Sequence, residues 1–400
     1  MTAAPRAPVP LLAAAAFFGA AALRVCDSLL PRFAVEFHRS AGESGRLIVV
    51  FAVAYGLMQL LSGPLADRFG KQRMMTLALA GSGAASAAAA LADSFDALLA
   101  WRALWGMAAA GVVPLAMAWI GDAVAYQARQ ATLARLLLGT LSGMVVGQLL
   151  GGLCAETALG WRGAFAVLSV GYWVVAALLW RETSHTTATV EMAAPAIGGG
   201  GLRAVLAQPW ARVVLVAVFL EGVFLLGALS YLPTYLHARE GLGLAAASAV
   251  SALYAVGGLA YAVCARRIVG LLGEIRMAAT GGVLMAAAWA GLWLLPHGSA
   301  AAPLAVLLGF GTYLYHNTLQ THATQMAPQA RGSAVSLFSF AMFTGQSLGV
   351  VGFGGLVDLQ AYAALLLLPA AAMAALGIGF AWSLRRRAAR MPSSPTSGAW

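Results

Sequence analysis

Runs of about twenty residues with almost no charge recur along this chain, and that recurrence fixes what it can fold into. A helix rises 1.5 Å per residue, so about 20 apolar residues match the roughly 30 Å hydrocarbon core of a bilayer. Twelve such runs can be drawn: 11–31, 45–66, 74–92, 96–120, 131–153, 162–180, 210–236, 244–264, 277–295, 303–326, 333–356 and 361–383. The chain is 61% hydrophobic and 10% charged, whereas a soluble domain has about 25% charged residues. Most of its apolar surface must face lipid or other apolar helices, so the expected class is an all-α membrane protein.

The long polar interval 181–209, with its Gly198–Gly201 run and Pro209, reads as a linker. It separates six spans in 1–180 from six in 210–384, and a basic tail, 385–400, follows. The net charge of +10 comes from 24 basic residues, of which Lys71 is the one lysine. They fall between apolar runs rather than on one soluble face, so no nucleic-acid partner is expected. With the N-terminus inside, 17 lie on inner segments, two (Arg24 and Arg102) within spans, and five outside: Arg32, Arg39, Arg46, Arg162 and Arg239. That asymmetry places both termini in the cytoplasm. The first outer loop fits worst, although Glu36 and Glu43 partly balance its arginines. Arg6 and the apolar start imitate a signal peptide, but the run continues through Arg24 and Asp27 to Pro31, as an uncleaved span does. Cys26, Cys154 and Cys264 all fall in spans at unrelated positions, as small core residues rather than disulfide partners or metal ligands.

The two halves are related. Tyr55 to Arg68 aligns with Tyr254 to Arg267 at a shift of 199, and Gly147-Gln148-x-x-Gly151 recurs as Gly345-Gln346-x-x-Gly349 at 198. Arg266 stands where the first half has Asp67, so the repeated loop is degenerate.

Between spans 2 and 3 the chain reads Gly63-Pro64-Leu65-Ala66-Asp67-Arg68-Phe69-Gly70-Lys71-Gln72-Arg73. Charges at a helix end are tolerated at the interface with partners, and Gly70 permits a sharp reversal. The stretch resembles the loop between helices 2 and 3 of major facilitator superfamily transporters, G-x-x-x-D-R-x-G-[RK]-[RK]. Gly63, Asp67, Arg68, Gly70 and Lys71 fit; Gln72 departs, and Arg73 supplies the second cation one place later. The resemblance implies two pseudo-symmetric six-helix bundles that rock about a central cavity walled by spans 1, 4, 7 and 10. It also implies a gating network in which Asp67 meets the start of span 11 near Ser333 and Lys71 sits between Asp67 and Asp122. Asp122 as a plain exposed end charge is the alternative.

Four further features bear on chemistry. Span 4 carries Leu98-x-x-x-Arg102-x-x-Trp105-Gly106, similar to the family's helix-4 pattern, with Trp105 where glutamine is usual. Arg102 lies roughly 9 Å deep, level with Asp27 on span 1. The two are expected to pair, with Arg24 competing at i,i+3 and a purely structural pair as the alternative. Span 5 carries Gly139, Gly143, Gly147, Gln148, Gly151 and Gly152, resembling the helix-5 motif of proton-coupled efflux members, with Gln148 where proline is usual. Small-residue packing explains the same glycines. Glu221 sits near the bilayer midplane among Phe219, Leu220, Val223 and Phe224. An unpaired carboxylate there spends much of its time protonated, as a proton-carrying site requires; a permanently neutral, hydrogen-bonded Glu is the alternative. On span 10, Tyr313, Asn317, Gln320 and Thr324 share one face, a candidate substrate wall. His316 and His322 are six residues apart and point to different faces, so no metal is expected.

No Walker motif or paired catalytic constellation is present, so neither an enzyme nor ATP-driven transport is indicated, and no cofactor is expected. The expected function is proton-coupled efflux of drugs or metabolites by a monomeric, multi-pass carrier in a bacterial inner membrane. Proton-coupling candidates are Glu221, Asp27, Arg102 and Arg24. A sugar or other nutrient uptake carrier is the nearest alternative, and a non-transporting receptor or scaffold the one of another class. The polar, nearly uncharged cavity suits neutral, weakly polar or cationic solutes.

Overall fold

The computed structural model describes residues 8–124, 126–184, 200–295 and 300–390, which form helices and no strand. The first pass, α1, begins as Val9–Arg24, opens into a turn and resumes as Leu30–Glu36. Pro31 stands in the first turn of the restarted helix, where a missing N–H costs nothing. A short helix, Ala41–Ser44, follows, started by a reciprocal capping box between Ser40 and Glu43. It leads into α2, Arg46–Phe69, which ends at Gly70 with φ +87°, a conformation open mainly to glycine. The expected reversal at Gly70 is therefore present, and α3, Lys71–Ala90, starts at once.

Ser94 caps the first part of α4, Phe95–Ala109, which continues as Val112–Ala123. Then come α5, Tyr126–Ala155, and α6, Gly160–Ser184. A surface helix, Gly200–Ala207, precedes α7, which is built in pieces: Pro209–Glu221, a π-helical turn Gly222–Leu226, Gly227–Leu229 and Leu232–Ala238. The passes α8 and α9 are the two arms of Leu244–Leu294, broken at Gly273 (φ +66°, ψ 168°). Finally α10 is Ala301–Gln325, α11 Arg331–Asp358 and α12 Tyr362–Arg390. Among the described residues eight helices are each long and apolar enough to cross a membrane, and one of them, Leu244–Leu294, is long enough for two crossings about its break at Gly273.

Three sequence expectations need correcting or bounding. The tail expected from 385 begins as helix, because α12 runs on through Arg385, Arg386 and Arg387. Arginine is a good helix former, and cations suit a helix C-terminus. Residues 185–199 of the expected linker and 391–400 of the expected tail lie outside the described residues. Cys26 and Cys154 are buried, but Cys264 is exposed on α8.

Glycines set the helix spacing. A Cβ at Gly139, Gly143, Gly147 or Gly151 would collide with the main chain of Ala13, Phe17, Ala21 or Val25 in turn. Thus α5 rests directly on α1 at every fourth residue, and in lipid such close packing is a main source of helix association. The repeat reproduces the contact: Gly345 and Gly349 of α11 meet the main chain of Phe219 and Val223 on α7. Gly152 points elsewhere, at Ser248 of α8.

The two six-helix bundles meet along α2 against α11 and α5 against α8. At the face opposite the chain ends, polar contacts join them. Asp358 at the end of α11 accepts from Ser40 Oγ (2.7 Å) and Gly42 N (2.8 Å). Glu156, just beyond α5, accepts from Ala245 N at the start of α8 (3.0 Å). Tyr231 Oη reaches across to Gly42 O (3.4 Å). Glu43 is taken up by its capping box, and Glu36 pairs with Arg162.

Candidate functional site

Two of the passes expected around the centre are interrupted. α1 opens at 25–29, and α7 at the π-helical turn directly after Glu221. Broken helices and π turns free main-chain groups and re-aim side chains, and they gather at binding sites in membrane carriers. Glu221 is 1% exposed. Its Oε2 lies 2.9 Å from Nδ1 of His316 on α10. Its Oε1 is buried with no hydrogen-bond partner among the described residues. Tyr254, Tyr313 and Tyr315 lie within Coulombic range of the same carboxylate. An acid and a base so placed can hold one proton between them inside the membrane. Sequence reasoning found Glu221 but gave His316 no role. The missing signal was the α7–α10 register, which depends on how two distant helices dock.

On the other bundle, the expected Asp27–Arg102 ion pair does not form. Asp27, in the opened turn of α1, pairs with Arg24 (Nη1 to Oδ2, 2.9 Å), the i,i+3 competitor. Arg102 instead reaches Leu47 O (3.4 Å) and Ala22 O (3.4–3.5 Å). Its guanidinium lies over the rings of Phe51 (4.1 Å) and Trp105 (4.8 Å). Aromatic faces attract a buried cation, so Trp105, in place of the usual glutamine, helps divert Arg102 from the carboxylate.

A small cleft between the bundles is lined by Arg24, Gln148, Leu229, Ser251 and Tyr254. The Arg24 guanidinium lies 5.8 Å from the Tyr254 ring centre, and that ring is 6.4 Å from Tyr313. Gln148 donates to Ser28 Oγ (3.0 Å), which in turn donates to Gln148 O (3.1 Å), and α5 runs through without a break. The α10 face is mixed. Asn317 donates to Tyr261 Oη (2.8 Å), Thr324 donates back to Thr321 O (2.7 Å), and Gln320 is exposed. His322 is directed away from His316, toward Glu274 (3.3 Å) and Trp210.

At the chain-end face, Lys71 hydrogen-bonds Asp122, tying the start of α3 to the end of α4. Arg68 lies over the neighbouring Phe69 ring (5.2 Å). Asp67 and Gly63 belong to α2, but the side chain of Asp67 lies outside the described residues. The start of α11 is packed by the surface helix Gly200–Ala207. Asp358 and Glu156 carried no sequence signal, because a carboxylate closing a helix end at a distant loop looks like any surface acid.

Comparisons with known proteins place this architecture. A family model described as Major Facilitator Superfamily matches residues 12–350. The uncharacterized MFS-type transporter YceJ of Bacillus subtilis is 26% identical over 329 residues, covering 81% of this chain and 83% of its own. The chloramphenicol resistance protein of Pseudomonas aeruginosa is 32% identical over 141 residues, 35% of this chain and 33% of its own. Among solved structures, the peptide transporter POT superposes with a TM-score of 0.78 at 13% identity, covering 96% of this chain and 97% of its own. At that identity the likeness speaks for the fold alone. With the family match running through both bundles, the chain belongs to the Major Facilitator Superfamily and is a membrane transporter, not an enzyme.

Proposed function

We propose that this transporter exports small molecules in exchange for protons, with 1–180 and 210–384 as the halves that rock about the centre. The observation that carries the reading is the Glu221–His316 pair: a carboxylate 1% exposed in the middle of α7, 2.9 Å from an imidazole on α10. Such a pair takes up a proton from one side and yields it to the other once access alternates. The likeness to a protein named for chloramphenicol resistance supports export of drug-like solutes. Asp27 with Arg24, and Lys71 with Asp122, would bias which side is open. The orientation that fits has both termini in the cytoplasm of a bacterial cell, with the monomer as the working unit.

The test is lumenal pH in everted vesicles while drugs, sugars and amino acids are added. Alkalinisation of an acidified lumen by one compound, lost in Glu221→Gln, supports exchange. Solute movement that is indifferent to pH in both proteins overturns it. Uptake on the same scaffold is the second reading, favoured by Gln148 in place of proline and by the unbroken α5. It predicts acidification of the compartment that the solute enters.

A further inference from the structure

The two bundles face the centre with opposite charge. On one, two arginines, Arg24 and Arg102, stand near a single carboxylate, Asp27, which pairs with Arg24 alone, so a guanidinium charge is always in excess. On the other stand Glu221 and His316, negative when unprotonated and neutral overall when they hold one proton. Both unlike groups have capacity to spare. Arg24 directs Nη1 at Asp27, and a guanidinium has five N–H donors in a fork that fits a carboxylate. Glu221 Oε1 is buried without a hydrogen-bond partner among the described residues. Tyr254 lies beside Arg24 and Tyr313 beside Tyr254, and both rings feel the charges of Arg24 and of Glu221. Arg24 and Tyr254 also border the cleft that opens between the bundles.

A solute with only a positive charge would meet a fixed guanidinium on one wall. A purely anionic one would meet the unprotonated carboxylate on the other. We propose that the carried solute is amphoteric and aromatic, its anionic group seated on Arg24, its cationic group at Glu221, and its ring against Tyr254 and Tyr313. The assignment rests on the transport reading above and departs from the neutral or cationic solutes expected from sequence. On binding, the solute's cationic group takes the place of the proton held by Glu221 and His316, and that proton leaves to water on the side then open. Solute and proton thus occupy one site by turns, while Arg24 keeps its charge throughout.

The test uses the purified full chain and a panel of aromatic amino acids and fluoroquinolones. Each compound is presented in its amphoteric form, as its ester (cation only) and as its N-acetyl derivative (anion only). Binding is read by thermal shift and by competition. Each charge removed should weaken binding about ten- to a hundredfold, the range for losing one hydrogen bond to a charged group. Arg24→Gln should abolish the preference over the ester, and Glu221→Gln the preference over the N-acetyl form. If Arg24→Gln fails to fold because Asp27 loses its partner, Arg24→Gln with Asp27→Asn removes the pair together and is read the same way. Equal or tighter binding of the esters, a preference unmoved by either variant, or no binding by any amphoteric member overturns the proposal. Flux separates it from the reading beneath it. Esters that exchange for protons leave proton-coupled export standing and remove the amphoteric solute. Amphoteric compounds that show the charge pattern but move without protons leave the solute class standing and remove the coupling.

Discussion

Asp358 and Ser40 are 318 positions apart in the chain and 2.7 Å apart in space. Through them, and through the Gly42 amide that the same carboxylate accepts, the end of α11 closes the start of the short helix before α2. Glu156 does the same from the end of α5 to the start of α8. In the internal repeat α5 corresponds to α11 and α2 to α8, so the two closures are pseudo-symmetric copies, displaced by about one helical turn. If transport requires the bundles to part at this face, a cross-link there should stop it. Ser40→Cys with Asp358→Cys, with the three native cysteines replaced, is expected to lose turnover on oxidation and regain it on reduction. An oxidised protein that still turns over would show that this face stays closed throughout the cycle.

The Glu221–His316 pair makes a prediction about stability that does not depend on function. His316→Leu leaves a buried carboxylate without its partner, at a cost of roughly 1–3 kcal/mol. Replacing both, Glu221→Gln with His316→Leu, should recover much of that loss. The comparison is made from melting curves in detergent. A double variant whose loss equals the sum of the two single losses would mean that the pair is not coupled.

Lys71 and Asp122 behave differently, because Asp122 is 63% exposed and Lys71 29% at the side chain. An exposed ion pair contributes about 0–1 kcal/mol, so Asp122→Asn should leave the melting curve nearly unchanged. If the pair biases the conformational equilibrium, the same variant will change the rate of solute counterflow. Unaltered counterflow would reduce the contact to a surface ornament of α3 and α4.

Gly147 and Gly352 offer a matched contrast. Ala at 147 collides with the main chain of Ala21, whereas nothing lies within 4 Å of a Cβ at 352. Gly147→Ala is expected to destabilise by about 1–3 kcal/mol, as overpacking does. Gly352→Ala should gain up to about 1 kcal/mol, because alanine is the better helix former. Size-exclusion profiles after heating report both. Equal behaviour of the two would argue against main-chain contact between α5 and α1.

The features legible in sequence were those set by the solvent and by the local chain. Lipid demands long apolar runs, so hydropathy places the passes, and Gly70 declares its turn because few other residues adopt it. The i,i+3 contact of Arg24 with Asp27 was visible as a competitor and prevailed. Arg102 went astray because the rings that hold it, Phe51 and Trp105, come from α2 and α4, and an attraction to aromatic faces leaves no charge pattern to read. The same holds for His316 and Asp358. Each earns its role from a partner on another helix, and the register between two helices is set by packing rather than by spacing along either one.

Where α5 meets α1, and α11 meets α7, main chain rests on main chain with no layer of side chains between. Such a seam has no rotamers to exchange, and a slip of less than four residues would drive a carbonyl into a Cβ. Each seam therefore resists shear. Between the bundles several of the touching groups are side chains, Tyr55 on Phe343 at 4.7 Å and Arg24 beside Tyr254, which re-pair by rotating about their own bonds. Compliance in this molecule is thus unevenly distributed: stiff within each bundle, soft along one plane. That plane is where thermal agitation does least damage to the fold and most to the shape of the cleft.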